Sequence, residues 1–259
     1  MRNRGESVLS IGKLLSEQTK EYPFAPAFGL MPAVVTDIDD PDKLGRVKVK
    51  LLNRDTTEYE TDFIRMMTPM TGQQWGMFFF PEVGDEVLVG FSNGEMAKPY
   101  VLGMLWNQNN KPPVTIENKE NMIRKIKTKH GHELIFQDKQ EEDFIQINTP
   151  QKLEIKLEDK NQMIYIKEKN GKNIIKIDGK NGIVTINAEK KIDIASGNSR
   201  MTLDGEGNKV TISSGQAIEI KATQIVLDAK STLDLKASGT VTVKADGPAN
   251  IKGAVVKLN

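Results

Sequence analysis

The chain has 259 residues, enough for one or two domains, and its 36 basic and 35 acidic residues leave a net charge of +1. This balance argues against nucleic acid as the main partner, because polyanion binders carry a strongly basic field. The chain has no cysteine, which excludes disulfides and thiolate chemistry, and it has no apolar run long enough for a transmembrane helix. No signal-peptide core follows Met1, so we expect synthesis in the cytoplasm and any export by a route not encoded at the N-terminus.

Residues 1–25 are predicted to form an N-terminal arm. Its apolar residues fall at helical spacing before Pro23, at Val8, Ile11, Leu14 and Leu15. The pattern fits either a docking arm for a partner or a poorly ordered terminus.

Residues 26–106 are predicted to form an all-β barrel of the OB type. Turn-forming stretches, among them Thr71-Gly72, separate five strand-like runs: Leu30–Asp37, Gly45–Leu51, Asp62–Met66, Glu86–Phe91 and Tyr100–Leu105. Five short strands in about 80 residues, with the last able to pair with the first, favour a small closed Greek-key barrel.

Residues 107–122 are predicted to be a linker. Pro112 and Pro113 favour an extended, stiff connection, and the segment is far too short to hold an enzyme domain.

Residues 123–259 carry a repeat of strands. From Ile145 onward, two aliphatic residues separated by one residue recur at a spacing that settles near eight. These pairs are Ile145/Ile147, Leu153/Ile155, Ile164/Ile166, Ile175/Ile177, Val184/Ile186, Ile192/Ile194, Met201/Leu203, Val210/Ile212, Ile218/Ile220, Ile225/Leu227, Leu233/Leu235, Val241/Val243, Ala249/Ile251 and Val256/Leu258. Each unit is a minimal strand whose two aliphatic residues share one face.

Two inward residues in eight are too few for one chain to close a core, since a single-chain solenoid coil takes roughly 20 residues or more. The simplest supplier of the missing sides is two further copies, intertwined so that every strand pairs with strands of its neighbours. We therefore predict an intertwined trimeric β-helical needle. Its polar coat would include the residues between the aliphatic pairs: Lys156, Lys176, Thr185, Asp193, Glu219, Asp234 and Thr242.

Several motifs of the barrel region occur in a characteristic order. They are Asp40-Pro41, Leu44–Val49, Trp75-Gly76, Phe80–Val89, Phe91, Gly94, Pro99 and Val101–Gly103, followed by Gly131–Asp138 at the start of the repeat. Together they resemble the barrel and needle entry of the central spikes of contractile injection systems: phage tail spikes, baseplate assembly protein V and VgrG of type VI secretion.

The resemblance implies a homotrimer that docks under the baseplate hub and punctures the target envelope mechanically, without an enzymatic activity, a cofactor or bound nucleic acid. VgrG proteins carry a large hub region before the barrel, so with about 30 residues there this chain is expected to use a separate hub protein. No further domain is expected after Asn259. Because the last strand ends without a tapering motif, we expect a blunt tip capped by a PAAR-like protein. The trimer would be part of a virion or tail-like particle that acts extracellularly.

The two histidines, His130 and His132, are the candidate metal ligands. In a strand their side chains would point to the same side, and three chains would bring six imidazoles towards one axis, an arrangement suited to iron or nickel. Related spikes hold iron through a His-x-His motif near the apex, whereas this pair lies at the base of the needle. The alternative is a turn position for His132 and a solvated His130.

Two other functions remain open at this stage. One is a trimeric fibre or adhesin, although the last residues offer no receptor-binding patch. The other is an OB-type nucleic-acid-binding module that stacks bases on Trp75 and Phe78–Phe80, a segment that also fits barrel core and trimer contacts. Acidic runs such as Glu141–Asp143 indicate solvated turns rather than catalytic carboxylates.

Overall fold

The computed structural model describes residues 29–52 and 59–257. The predicted N-terminal arm lies outside these residues, as does Leu258 of the last predicted aliphatic pair. The described residues up to Gly171, together with Ile175–Thr185, form one compact unit, and Lys172–Ile174 with the described residues from Ile186 onward form a second. Across residues 29–52 and 59–257, no helix has the length and apolar character needed to cross a membrane. The domain boundaries given above stay a prediction.

The regular structure of the described residues is almost entirely β, as predicted, with a single 3-10 turn at Ser92–Gly94. The strands are β1 (Leu30–Asp37), β2 (Arg46–Leu51), β3 (Ile64–Met66), β4 (Thr71–Gly72), β5 (Trp75–Gly76), β6 (Glu86–Phe91), β7 (Pro99–Met104), β8 (Ile123–Lys127), β9 (Glu133–Gln137), β10 (Phe144–Asn148), β11 (Glu154–Glu158), β12 (Met163–Lys167), β13 (Ile174–Asp178), β14 (Ile183–Asn187), β15 (Lys191–Ser196), β16 (Ser199–Asp204) and β17 (Lys209–Ser213).

The barrel closes in the order β1-β2-β3-β7-β6. All five predicted runs are strands, which confirms the OB-type barrel. The predicted closure was wrong in one respect: β6, not the last strand, pairs with β1, and β7 instead lies parallel to β3. The alternation of β2 places Val47 and Val49 fully inside, where small branched side chains fill the narrow interior.

A buried carboxylate organises the connection between β1 and β2. Asp40 is 4% exposed and accepts hydrogen bonds from the guanidinium of Arg46, at 2.6 and 3.1 Å, and from the backbone N–H groups of Asp42 and Leu44, at 3.1 and 2.9 Å. The bond from Arg46 outweighs burial and holds the pKa of Asp40 well below its ordinary value. The Asp40 carboxylate therefore stays ionised and holds the loop in place through these hydrogen bonds.

Replacing Asp40 with asparagine should lower the calorimetric unfolding midpoint of the barrel at neutral pH. Because the folded pKa lies below the unfolded value of about 3.9, the carboxylate stabilises the barrel above that pH, and this contribution is lost as the pH falls towards the folded pKa. The variant should therefore lose less stability than the parent between pH 5 and 3. Asp39→Asn removes only the exposed pair with Lys43 and should leave the profile unchanged. Equal profiles for the two variants would contradict this role of Asp40.

Residues predicted as a turn form a small hairpin that projects from the barrel, with β4 paired to β5. The ring of Trp75 lies directly against Gly72, where a Cβ would come within 2.1 Å of it, so any other residue at this position would displace the ring. Beyond the hairpin, Phe80 packs against the barrel core, whereas Phe78 and Phe79 are exposed. Of these three phenylalanines, only Phe80 takes the predicted core position.

The repeat strands form two antiparallel sheets, one of β8–β14 and one of β15–β17, each with consecutive strands as neighbours. The prediction that every strand pairs with strands of other chains was therefore wrong for these segments, because short turns allow each strand to fold back on the one before it. From residue 214 to residue 257 the chain has no strand.

Candidate functional site

The seven-stranded sheet has one face made mainly of aliphatic side chains; at its β8 end the same face carries Phe136 and, opposite it, Arg124. In its centre, Ile155 lies opposite Ile147 on one side and Ile166 on the other. The next row along joins Ile145, Leu157 and Ile164 in the same way. Residues directly opposite each other in a sheet share a face, so these rows form a continuous apolar surface. Its six central side chains are between 38% and 48% exposed.

The opposite face of the same sheet is polar and internally paired. Lys167 contacts Glu154 at 3.0 Å, and the Gln146 amide donates to Glu154 at 3.3 Å. The ammonium of Lys156 lies 4.3 Å from the centre of the Phe144 ring. The side chains of Glu154 and Lys156 are 19% and 23% exposed, less than the aliphatic residues behind them. The charged side chains in the centre of this sheet are therefore less exposed to solvent than its aliphatic side chains.

Ion pairs on this polar face also set the charge state of its carboxylates. Burial alone would raise the pKa of Glu133, but Lys127 and Lys125, with ammonium groups 3.2 and 3.3 Å away, outweigh it and hold that pKa below its ordinary value. Lysine and carboxylate groups thus neutralise one another along the face, as expected of an outer surface exposed to water.

The second sheet repeats this division. Ile194 lies opposite Met201, and Met201 lies opposite Ile212, on the apolar face. On the other face the Thr202 hydroxyl donates to Asp193 at 2.6 Å, which lowers the pKa of that carboxyl. On each sheet, the apolar face is therefore exposed among the described residues. The polar side chains of the other face form hydrogen bonds and ion pairs with one another.

Residues 214–257 keep the aliphatic pattern but form neither strand pairing nor hydrogen-bonded turns with the described part of the chain. Their large aliphatic side chains are at least half exposed, from Val256 at 50% to Val243 at 79%. Extended backbone with unpaired N–H and C=O groups is a template for further strands. A partner of this segment must therefore supply backbone hydrogen bonds as well as apolar side chains that pack against its aliphatic residues.

The histidine pair does not lie in a strand. His130 and His132 occupy the turn between β8 and β9, where the backbone N–H of His132 donates to the Thr128 hydroxyl at 3.1 Å, and both side chains are exposed. Placing the pair in a strand was wrong, because the chain reverses direction there; the alternative, a turn position for His132 and a solvated His130, is the arrangement found. In the described ranges no group of three or more His, Cys, Asp or Glu residues could hold a metal ion. A metal shared between chains stays a prediction.

Sequence reasoning missed two features of the barrel, the Asp40–Arg46 pair and the β4–β5 hairpin. The spacing of Asp40 and Arg46 gives no periodic signal, because a loop brings them together. For the hairpin a signal existed: residues 66–81 contain no charged side chain, although 27% of the whole chain is charged. The acidic run Glu141–Asp143 lies in an exposed turn, as expected.

Comparison with known proteins agrees with the barrel and its neighbouring strands. Residues 31–106 match the family model for the type VI secretion system/phage-baseplate injector OB domain. The actin cross-linking toxin VgrG1 of Vibrio cholerae serotype O1 is 31% identical over 104 residues, which is 38% of this chain and 10% of that protein. The type VI secretion system spike protein VgrG2a of Pseudomonas aeruginosa is 32% identical over 91 residues, 34% of this chain and 11% of that protein.

A longer match covers about half of the chain. The spike protein VgrG5 of Pseudomonas aeruginosa is 30% identical over 139 residues, 48% of this chain. The chain covers only 10% to 18% of the length of these relatives. The barrel is thus an injector OB domain of the type VI secretion and phage-baseplate kind, and the chain that carries it resembles VgrG-type central spike proteins.

Proposed function

We propose that three copies of this chain assemble into the central spike of a contractile injection machine and that the spike punctures the target envelope mechanically. The observation that supports this most directly is the aliphatic face of β8–β14, which stays exposed among the described residues. A hydrophobic sheet face of this extent requires a partner, because each fully buried Ile or Leu side chain stabilises by about 1.5–3 kcal/mol relative to exposure.

A three-sided prism satisfies this requirement in a trimeric spike. Three sheets, one from each chain, turn their aliphatic faces inward and their lysine–carboxylate faces outward. The six strand spacings of β8–β14, at about 4.8 Å each, give a prism about 29 Å long. Almost no aromatic residue lies among the inward pairs, so a narrow core of Ile, Val and Leu can fill the axis.

The segment from residue 214 to residue 257 completes the needle in a different way. Since it lacks strand pairing of its own, each of its extended units pairs with units of the two neighbouring chains, as the sequence repeat predicts for an intertwined β-helix. Backbone hydrogen bonds then run between chains, each worth only about 1 kcal/mol net. Under axial load many of them must break together, which gives the shaft its stiffness.

The rest of the assembly follows from the same role. The barrels dock under a separate hub protein, a PAAR-like protein caps the distal end, and the particle acts outside the producing cell. The work is mechanical rather than enzymatic, with no cofactor and no nucleic acid. A metal held by His130 and His132 of the three chains is an optional addition at the base of the needle.

Solution mass tests the proposal most directly. Light scattering should give three times 28.9 kDa, about 87 kDa, and the trimer should survive moderate denaturant because interchain strands must separate before the chains do. A mass near one chain would exclude the prism. It would leave the aliphatic faces to be covered by another protein and would make an OB-type binding module the better explanation.

A further inference from the structure

The barrel carries an uncharged surface that the needle does not use. Residues 66–81 form it, and the β4–β5 hairpin is its centre. Trp75 is 60% exposed, Phe78 is 79% exposed and Phe79 is 49% exposed. Large aromatic side chains clustered in this way on a soluble surface mark a contact with another molecule.

The surface has a recessed part as well as a projecting part. A groove of about 570 Å³ lies between the hairpin and the β1–β2 connection. Its walls include Leu44, Met66, Met70, Trp75, Met77 and Phe80. Phe78 stacks on Phe80 with ring centres 5.2 Å apart, at the edge of the groove. One chain therefore offers both an exposed aromatic side chain that does not line the groove, Phe79, and an apolar groove that could receive one.

The charge distribution argues against a polyanion as the occupant. No lysine or arginine lies in residues 66–81. The nearest cation in the groove, Lys43, is already paired with Asp39 at 2.6 Å. Binding of single-stranded nucleic acid needs cations beside the stacking rings, so an apolar protein surface is the better match.

Three-fold symmetry makes a neighbouring copy the natural source of that surface. In a three-membered ring each contact is heterologous, so every chain must present two different, complementary patches. The projecting ring and the groove form such a pair. A closed ring uses each patch once and leaves none exposed.

The barrel is also held close to the first strands of the repeat. Leu105 N–H donates to the Glu86 carbonyl at 2.9 Å, and the Asn107 amide donates to the Glu86 carboxylate at 2.8 Å, so the start of the linker lies against β6. Lys129 in the β8–β9 turn pairs with Glu82 at 3.0 Å. Needle assembly would therefore bring three barrels to the same level, where tethering gives effective concentrations in the millimolar range.

We propose that residues 66–81 form the barrel-to-barrel contact of the trimer, with Phe79 of one copy entering the groove beside Trp75 of the next. This inference rests on the proposed trimeric spike and adds a second contact between its chains. Gly72 serves the contact by leaving room for the Trp75 ring, which forms one wall of the groove.

Tryptophan quenching tests this contact independently of the needle. The chain has two tryptophans, so Trp106→Phe leaves Trp75 as the only one. In full-length protein of trimer mass, acrylamide quenching of Trp75 should be several-fold weaker than that of free N-acetyltryptophanamide, and the emission should be blue-shifted. Adding Phe79→Ser, which does not change the groove lining of its own chain, should restore quenching while the needle keeps the trimer mass. The control Val83→Ser removes another exposed apolar side chain, 58% exposed against 49% for Phe79, just outside the surface and should change nothing.

The possible outcomes separate the two proposals. Strong quenching of Trp75 in a protein of trimer mass would overturn the barrel contact and leave the spike intact. A single-chain mass would overturn both. Protection of Trp75 that survives Phe79→Ser would show that this phenylalanine does not fill the groove and would also overturn the contact.

Discussion

Replacing Ile155 with lysine should abolish the trimer, with the mass in solution falling from about 87 kDa to the 28.9 kDa of one chain. In the single chain Ile155 is 40% exposed, so a lysine there can reach water at little cost. In the prism three ammonium groups would meet at one level of a dry core. Each would carry a desolvation penalty of several kcal/mol, added to their mutual repulsion. The large effect is therefore confined to the assembled state.

Neighbouring residues on β14 supply a matched control. Val184 lies on the aliphatic face at 64% exposure, and Thr185 lies on the polar face next to it. Val184→Lys should weaken or abolish the trimer, whereas Thr185→Lys introduces the same side chain on the outer surface and should leave the mass unchanged. Light scattering of the three variants checks this. A trimer that tolerates Ile155→Lys and Val184→Lys would show that the aliphatic face does not point inward.

Hydrogen exchange should show strong protection of backbone amides between residues 218 and 256, although these residues have no strand pairing of their own. In the intertwined segment these N–H groups donate to other chains, and exchange requires that the ladder open. We expect exchange slowed by about a thousandfold, equivalent to an opening free energy of about 4 kcal/mol. Mass-spectrometric peptides from this segment would give the measurement.

The contrast with β10–β12 makes this prediction specific. Amides of β10–β12 have partners within the chain, so they should be protected in both the trimer and the Ile155→Lys protein. Amides around Val241 and Val243 should be protected in the trimer and should exchange at nearly the free rate in the variant. Fast exchange of this segment in a protein of trimer mass would contradict interchain pairing.

Much of this architecture could be predicted from the sequence, because alternation determines which residues share a face of a strand. Ile155 and Ile166 were assigned to one face and Lys156 to the other, and the registers of β10–β12 place them so. Alternation does not determine which strand lies alongside. For that reason the in-chain pairing of β8–β14 and the parallel contact of β3 with β7 could not be predicted.

The candidate contact surfaces differ in the same respect. The aliphatic face of the needle has a repeating pattern, so the sequence predicts it well. The surface at residues 66–81 has none: its hairpin has two-residue strands, and Phe80 faces the core while Phe78 and Phe79 do not. Likewise, the turn position of His130 and His132 depends on where β8 ends, which the strand-like pattern around the pair did not indicate.

The loss of in-chain pairing beyond Ser213 also gives the spike a direction of assembly. Short meanders with local contacts fold quickly within one chain, whereas strands that pair only with other chains must wait for an encounter. In the proposed trimer the barrels and β8–β17 would fold first. The segment from residue 214 would then pair with its neighbours strand by strand, from the barrel side towards the tip. Such an order keeps the most aggregation-prone part of the chain from ordering until its two correct neighbours are already aligned beside it.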